Sequence, residues 1–366
     1  MQHRVDLLET AERIEEIVPV WRCLAERAGN PFASPEWFRS VHSELDHHSH
    51  PAVVSIEAPA GGLLAVFPFV RSSRRPGARL RLAGGERADI LGPAAAPADQ
   101  EEAAGILAGA LPGLGLKGPL DLGRVDAQAS WWRRLASSGP RARVSVAGPL
   151  DPLPYLTLPS EWEEYTASRS RSFRSQLGRK MRSLQRDHEV TITRTSDEAG
   201  LDAGLEALFT LHDARWEERA GDSGFGPSTR PFHRSLARAT TAAGWTRIYV
   251  LEVDGAPAAA WYGWRLGDRT LYYQAGFDPT WERHSVGLLL LAETVKGAIE
   301  EGCDRYEMLL GNESFKARFA DRITEGRRVT LTRPLGFARL RAEARNHAHR
   351  AIRRRGESRA AARRDS

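Results

Sequence analysis

The chain has 366 residues, 41% of them hydrophobic and 27% charged, a balance that suits a folding, soluble chain and, at this length, two domains of roughly 150–180 residues. No run approaches the ~20 apolar residues of a membrane span, and the acidic, amphipathic start MQHRVDLLETAERIEEIVPV is unlike a secretion signal, so a cytoplasmic protein is expected. The formal charge of +5 is uneven: residues 169–186 hold six Arg, one Lys and no acid, and residues 334–366 hold ten Arg against three acids, so the remainder is net acidic.

In chain order, the pattern predicts a helix over 10–28 and a second, short one at PEWFRSVHSEL. The runs PAVVSIEAP and LLAVFPFVRSS, joined by AGG, read as a β-hairpin. ARLRLAG and ADILGP read as short strands, 98–111 and 128–138 as helices separated by PLDLGRV, and RARVSVAG as a strand. The Pro-rich DPLPYLTLP marks a crossover between halves. Beyond it a basic helix over 168–187 places Phe173, Leu177, Met181 and Leu184 on one face. EVTITRT is a strand, 199–220 and 228–243 are helices, and TRIYVLEV, APAAAWYGWRL and TLYYQAGF form an antiparallel meander through two tight turns. Then come a long apolar helix, DRYEMLL as a strand, SFKARFA as a short helix and RRVTLTR as a last strand. An Arg-rich helical tail follows.

The stretch FDPTWERHSVGLLLLAETVKGAIEEG raises the functional question. Its helix start carries no acid in the first turn, although carboxylates lie favourably against that end of the dipole. A helix entered from a sheet with unclaimed N–H groups suits an anion. Gly287, lacking a Cβ, permits close approach, Ser285 can cap, and Arg283 and His284 precede as donors. The competing reading is a core helix capped by Ser285, with Gly287 serving close packing.

The run YYQAGFDPTWERHSVGLLLLAETVKGAIEEGCDRYEMLLGNESFKARFA resembles the C-terminal half of the GNAT acyltransferase superfamily. It is most similar to the branch of CelD-like or BioF-associated acetyltransferases, related to the Fem-type aminoacyl ligases. The resemblance is carried by Phe277, Asp278, Ser285, Gly287, Glu307, Gly311, Glu313, Phe315 and Lys316, with NPFASPEWF near the N-terminus. It implies an α/β fold of two tandem GNAT-like domains, each a mostly antiparallel mixed sheet flanked by helices. The first, 1–153, would be degenerate, the second, 154–333, active, and 334–366 a basic helical tail. It departs from the usual Gln/Arg-x-x-Gly-x-Gly/Ala: with Gly287 at the second Gly, Ser285 stands at the first and Glu282 at the Gln/Arg position.

The implied activity is transfer of an acyl group from acyl-CoA, such as acetyl-CoA, to an amine of a small molecule or amino sugar. Ser285, Val286, Gly287 and Leu288, with Arg283, His284 and Lys316, would hold the donor, and Gln274 and Ala275 would present strand amides to the thioester carbonyl. Glu307 is the candidate base, Tyr273 the proton donor to the thiolate, and Glu313 a substrate contact. The alternatives are salt bridges from Glu307 to Arg305 or Lys316, and from Glu313 to Lys316, and a core role for Tyr273. Two other activity classes stay open: a Fem-type transferase drawing on aminoacyl-tRNA, which the basic segments favour, and a binding protein that kept the fold without the chemistry.

Cys23 and Cys303 lie far apart outside any CxxC pattern and read as packed thiols. DHHSH at 46–50 reads as a polar loop, so no metal is expected. AGGERAD at 83–89 reads as a structural turn, with Asp89 a further candidate for a substrate cleft.

Overall fold

In the computed structural model of the chain, the residues described are 2–75, 77–138, 143–216, 225–311 and 313–332. The first elements are β1 (Arg4–Leu8), α1 (Ala11–Ala28), α2 (Pro35–Glu44), β2 (His50–Pro51), β3 (Val53–Glu57), β4 (Leu63–Phe67), β5 (Phe69–Arg71), β6 (Leu80–Leu82), α3 (Gln100–Ala110), β7 (Leu120–Asp126) and α4 (Ser130–Ser138). They are followed by β8 (Arg143–Thr157), α5 (Trp162–Ser168), α6 (Arg171–Asp187), β9 (Val190–Thr195), α7 (Glu198–Trp216), α8 (Arg230–Ala242), β10 (Thr246–Val253), β11 (Ala256–Leu266) and β12 (Arg269–Phe277). The series ends with α9 (Val286–Glu300), β13 (Arg305–Glu307), α10 (Lys316–Phe319) and β14 (Arg322–Thr332). The expected Arg-rich tail and residues 217–220 of the expected helix lie outside the described residues.

The chain forms two compact units. Among the described residues, one comprises those within 2–38, 48–151 and 325–332; the other comprises those within 39–47 and 152–324. In the first, α1 starts where the Thr10 side chain accepts from the Arg13 N–H, and it ends at Gly29 in the left-handed conformation (φ 61°). Its Ile14, Val18, Trp21 and Leu24 are buried, the spacing of one helix face. The expected hairpin is β3–β4, in register Val54↔Phe67, with β1 added antiparallel. Beside it, β2, β5, β6, β7 and β14 lie in that order. Arg124 and Asp151 form a buried ion pair at 2.8 Å, and Arg124 also donates to the carbonyls of Ala88 and Asp89. The AGGERAD turn is set by packing, because a Cβ on Gly84 would lie 2.5 Å from the Trp37 indole nitrogen.

In the second unit the end of β8 from Pro152 onward, β13, β12, β11, β10 and β9 lie side by side, all antiparallel except β12 against β13. Helix α9 packs on one face, where Val286, Leu289, Leu290, Val295 and Ile299 meet Tyr249, Trp261 and Tyr306. Helix α7 covers the other so closely that a Cβ on Gly276 would lie 2.8 Å from the His212 backbone nitrogen. The apolar stripe of α6 joins the α9 core, with Phe173 and Leu184 buried and Leu177 and Met181 partly so.

Four local expectations are corrected or refined. ADILGP forms no strand; after the turn at 85–87 its backbone is held by Arg124. DPLPYLTLP, where the division between the units falls at Asp151 and Pro152, is built as the second half of β8: the carbonyls of Pro154 and Pro152 accept from the Met308 and Gly311 amides, a pairing that needs no proline N–H. Strand β13 stops at Glu307, and two residues later Leu309 turns left-handed (φ 52°), while β14 begins five residues before RRVTLTR. Of the two thiols, Cys303 is buried beside the Thr270 hydroxyl but Cys23 is exposed, since it falls on the solvent face of α1.

Candidate functional site

The approach to α9 is a single tight turn over 279–284. It is opened by Asp278, whose side chain accepts from the Thr280 N–H at 2.9 Å, and by Pro279 in the first turn. The turn ends at Ser285, a non-glycine residue in the left-handed region (φ 56°, ψ 44°), a conformation that costs an L-residue about 1–2 kcal/mol. Ser285 does not cap α9 with its side chain, contrary to the simplest expectation. Its carbonyl instead accepts from Leu288 (2.9 Å) and Leu289 (3.1 Å). The amides of Val286 and Gly287 have no protein acceptor among the described residues, and the first turn holds no acid. The first carboxylate along α9 is Glu293, whose pKa is raised by burial.

These residues head a cavity of about 200 Å³ between α9 and β12. Ser285, Gly287, Leu288 and Leu291 line one side, Trp261, Tyr272, Ala275 and Phe277 the other, and Phe315 and Glu282 complete the lining. A Cβ on Gly287 would sit 3.4 Å from Phe277, an ordinary contact, so the fold does not demand glycine there.

Strand parity alone would send Tyr272 and Ala275 to opposite faces. A β-bulge reconciles them. The register runs Tyr262↔Gln274 and then Gly263↔Tyr272, which leaves Tyr273 as the extra residue on β12. Gly263 is obligatory opposite the bulge, since a Cβ would lie 2.1 Å from the Leu271 carbonyl and 2.4 Å from the Trp261 ring. On the other edge, β12 leaves β13 after Leu271↔Glu307, and the Ala275 N–H donates to the Gln274 side-chain oxygen, at 3.3 Å.

The residues singled out in the sequence are thus divided. Ala275, Ser285, Gly287 and Leu288 line the cavity, with Val286 buried among them. Tyr273 packs away from it, its ring 4.4 Å from Trp264 and 5.7 Å from Tyr262; the tyrosine in the cavity wall is Tyr272. Glu307 shares the sheet face away from α9 and pairs with Arg305 at 2.6 Å and Arg269 at 3.6 Å, while Arg305 stacks 3.4 Å from the Tyr155 ring centroid. Lys316 is buried behind the wall, its ammonium donating to the Leu310 carbonyl (2.6 Å), 3.3 Å from Glu313 and 5.6 Å from the Tyr272 ring centroid. Arg283 and His284 turn from the cavity toward α6: the Arg283 Nε donates to His284 Nε2 at 2.9 Å, and Lys180 donates to the Arg283 carbonyl.

Of the other lining residues, Phe315 belongs to the motif that carries the resemblance and Glu282 stands at its Gln/Arg position, while Trp261 suits a cleft wall and a core equally from the sequence. Tyr272 was not selected from the sequence, because the bulge is a property of the pairing. Among the described residues no group of His, Cys, Asp and Glu is arranged to hold a metal ion.

Comparison with family models matches residues 171–317, from α6 to the start of α10, to the acetyltransferase (GNAT) domain. Comparison with curated protein sequences gives no match. Among solved structures, FemX superposes with a TM-score of 0.62 at 10% identity, over 90% of this chain and 97% of that one. The C-terminal domain of a protein described as a lysylphosphatidylglycerol synthetase from Agrobacterium fabrum gives 0.53 at 12%, over 87% and 96%. A conserved protein of unknown function from Bacteroides thetaiotaomicron VPI-5482 gives 0.51 at 10%, over 90% and 100%. At these identities the likenesses speak for the fold alone, and the acetyltransferase (GNAT) domain match covers residues 171–317, less than half of the chain.

Proposed function

We propose that the protein is an N-acyltransferase that draws on acyl-CoA. The observation that carries this reading is the pair of unclaimed amides, Val286 and Gly287, at the head of a largely apolar cavity. Two N–H donors at the positive end of a helix suit the donor's diphosphate, and the glycine leaves room for it. The apolar walls of β12 and α9 suit the arm and acyl group, and the Ala275 amide, beyond the last β12–β13 pair, suits a carbonyl oxygen as it gains charge. The left-handed Ser285 is backbone strain at the same point, where a binding role accounts for it.

A thioester supplies an activated acyl group, and the chain's residues supply position and protons. An amine of pKa near ~10 is mostly protonated at neutral pH and must lose a proton before it attacks. Glu307 remains the proposed acceptor of that proton under two constraints: it lies on the sheet face away from α9, so the amine must approach from that face where β12 leaves β13, and its oxygens face Arg305 and Arg269, so the amine must displace one of these contacts. Tyr272, in the cavity wall, replaces Tyr273 as the proposed proton donor to the departing thiolate. Lys316 supports Tyr272 and Phe315 from behind, and Glu313 fixes Lys316.

The second reading is a Fem-type transfer from aminoacyl-tRNA, favoured by α6, where Arg186 alone among the cations of 169–186 has a carboxylate partner in the described residues. Thermal shift and turnover measured side by side with acetyl-CoA, longer acyl-CoAs and aminoacyl-tRNA separate the two. Stabilisation and amine acylation with an acyl-CoA support the first; response to aminoacyl-tRNA alone supports the second. Silence with all donors in a folded protein leaves a binding role.

A further inference from the structure

Arg283 and His284 occupy a second site on the far side of the loop that feeds α9. They line a surface cleft of about 480 Å³ together with Arg179, Lys180, Ser183 and Asp187 of α6. The charge there is unbalanced. Asp187 is already held by Arg186 at 2.8 Å, which lowers its pKa. His284 has its pKa lowered by burial and then by Arg283, so at neutral pH it is an uncharged acceptor for the Arg283 Nε. This bond aims the Arg283 guanidinium and leaves its terminal nitrogens available. Lys180 spends one donor on the Arg283 carbonyl and keeps two. Arg179 and Ser183 have no protein partner among the described residues. Three cations, a hydroxyl and a prepositioned imidazole thus converge with one compensated acid.

We infer that this cleft binds a phosphate monoester and, if the acyl-CoA reading above holds, that it takes the 3′-phosphate of the donor's ribose. A compact dianion matches converging point donors better than a single carboxylate does. The placement fits one nucleotide. Gly287 follows Arg283 by four positions, so the two sites lie within about 15 Å along the chain. The left-handed Ser285 at the turn puts successive residues on opposite sides, with Glu282, Ser285 and Gly287 toward the cavity and Arg283 and His284 toward the cleft. A nucleotide whose diphosphate meets the α9 amides can reach over this loop with its ribose phosphate.

The test is calorimetry on the full chain with acetyl-CoA, its 3′-dephospho form and adenosine 3′,5′-bisphosphate, for wild type and Arg179→Gln. Arg179 is exposed, so the variant is expected to melt with the wild type. The expected result is at least tenfold tighter binding of acetyl-CoA than of the dephospho form. In Arg179→Gln the difference falls to threefold or less, and the bisphosphate is lost. If the bisphosphate binds in an Arg179-dependent way but no CoA form binds, the cleft assignment stands and the acyl-CoA reading falls. Equal affinity of both CoA forms for wild type, or no bisphosphate binding, overturns the inference. So does tight, Arg179-dependent binding of a tRNA acceptor-stem duplex without discrimination among CoA forms.

Discussion

Tyr272 and Ala275 face one cavity from a single strand although three positions separate them, because β12 carries Tyr273 as an extra residue opposite Gly263. Gly263→Ala therefore breaks the bulge: the new Cβ meets the Leu271 carbonyl and the Trp261 ring, and neither backbone nor buried indole yields cheaply. A loss of about 2 kcal/mol or more is expected in urea unfolding, with donor binding weakened in what remains folded.

Gly287 separates the packing and ligand readings of the α9 start. Gly287→Ala makes only an ordinary contact with Phe277, so its stability should stay within about 1 kcal/mol of wild type, while acetyl-CoA affinity falls as the methyl group enters the phosphate position. Gly287→Glu should abolish binding by adding bulk and charge. Equal calorimetric affinity across all three proteins would show that the glycine serves the helix alone.

Glu282 lines the cavity, at the position that the resemblance would give to Gln or Arg, and its charge opposes an anionic donor. Glu282→Gln should tighten acetyl-CoA binding by about two- to fivefold, less at high salt, since the side chain is exposed. Weaker binding in the variant would place the diphosphate elsewhere.

Much of this was legible in the sequence, and the failures have physical causes. The meander, α9 and the apolar face of α6 follow from local periodicity and turn residues, which the chain carries openly. The bulge at Tyr273, the strand through Pro152 and Pro154, and the early end of β13 depend on what lies alongside, so no local pattern announces them. The bare helix start was visible as an absence of acids. The left-handed Ser285 was not, because serine normally signals a side-chain cap.

His284 makes stability pH-dependent in a definite direction. Its ring is buried against Arg283, His188, Lys180 and Trp281, with Asp187 the nearby acid, and burial, followed by Arg283, lowers its pKa below the ordinary value of 6.5. The unfolded ring therefore takes up a proton more readily than the folded one. Its contribution is present above about pH 6.5 and is lost as the pH falls below that value toward the depressed folded pKa. Urea midpoints at pH 7.5 and 5.5 should differ more for wild type than for His284→Gln, and an equal fall in both would exclude His284 as the source.

The most direct test of the central claim is the amide resonances of Val286 and Gly287 in an isotope-labelled sample titrated with acetyl-CoA. Capture of the donor's diphosphate predicts large downfield proton shifts at both positions, saturating with the calorimetric affinity and absent in Gly287→Glu. Acetyl-CoA binding that leaves both resonances unmoved would contradict it.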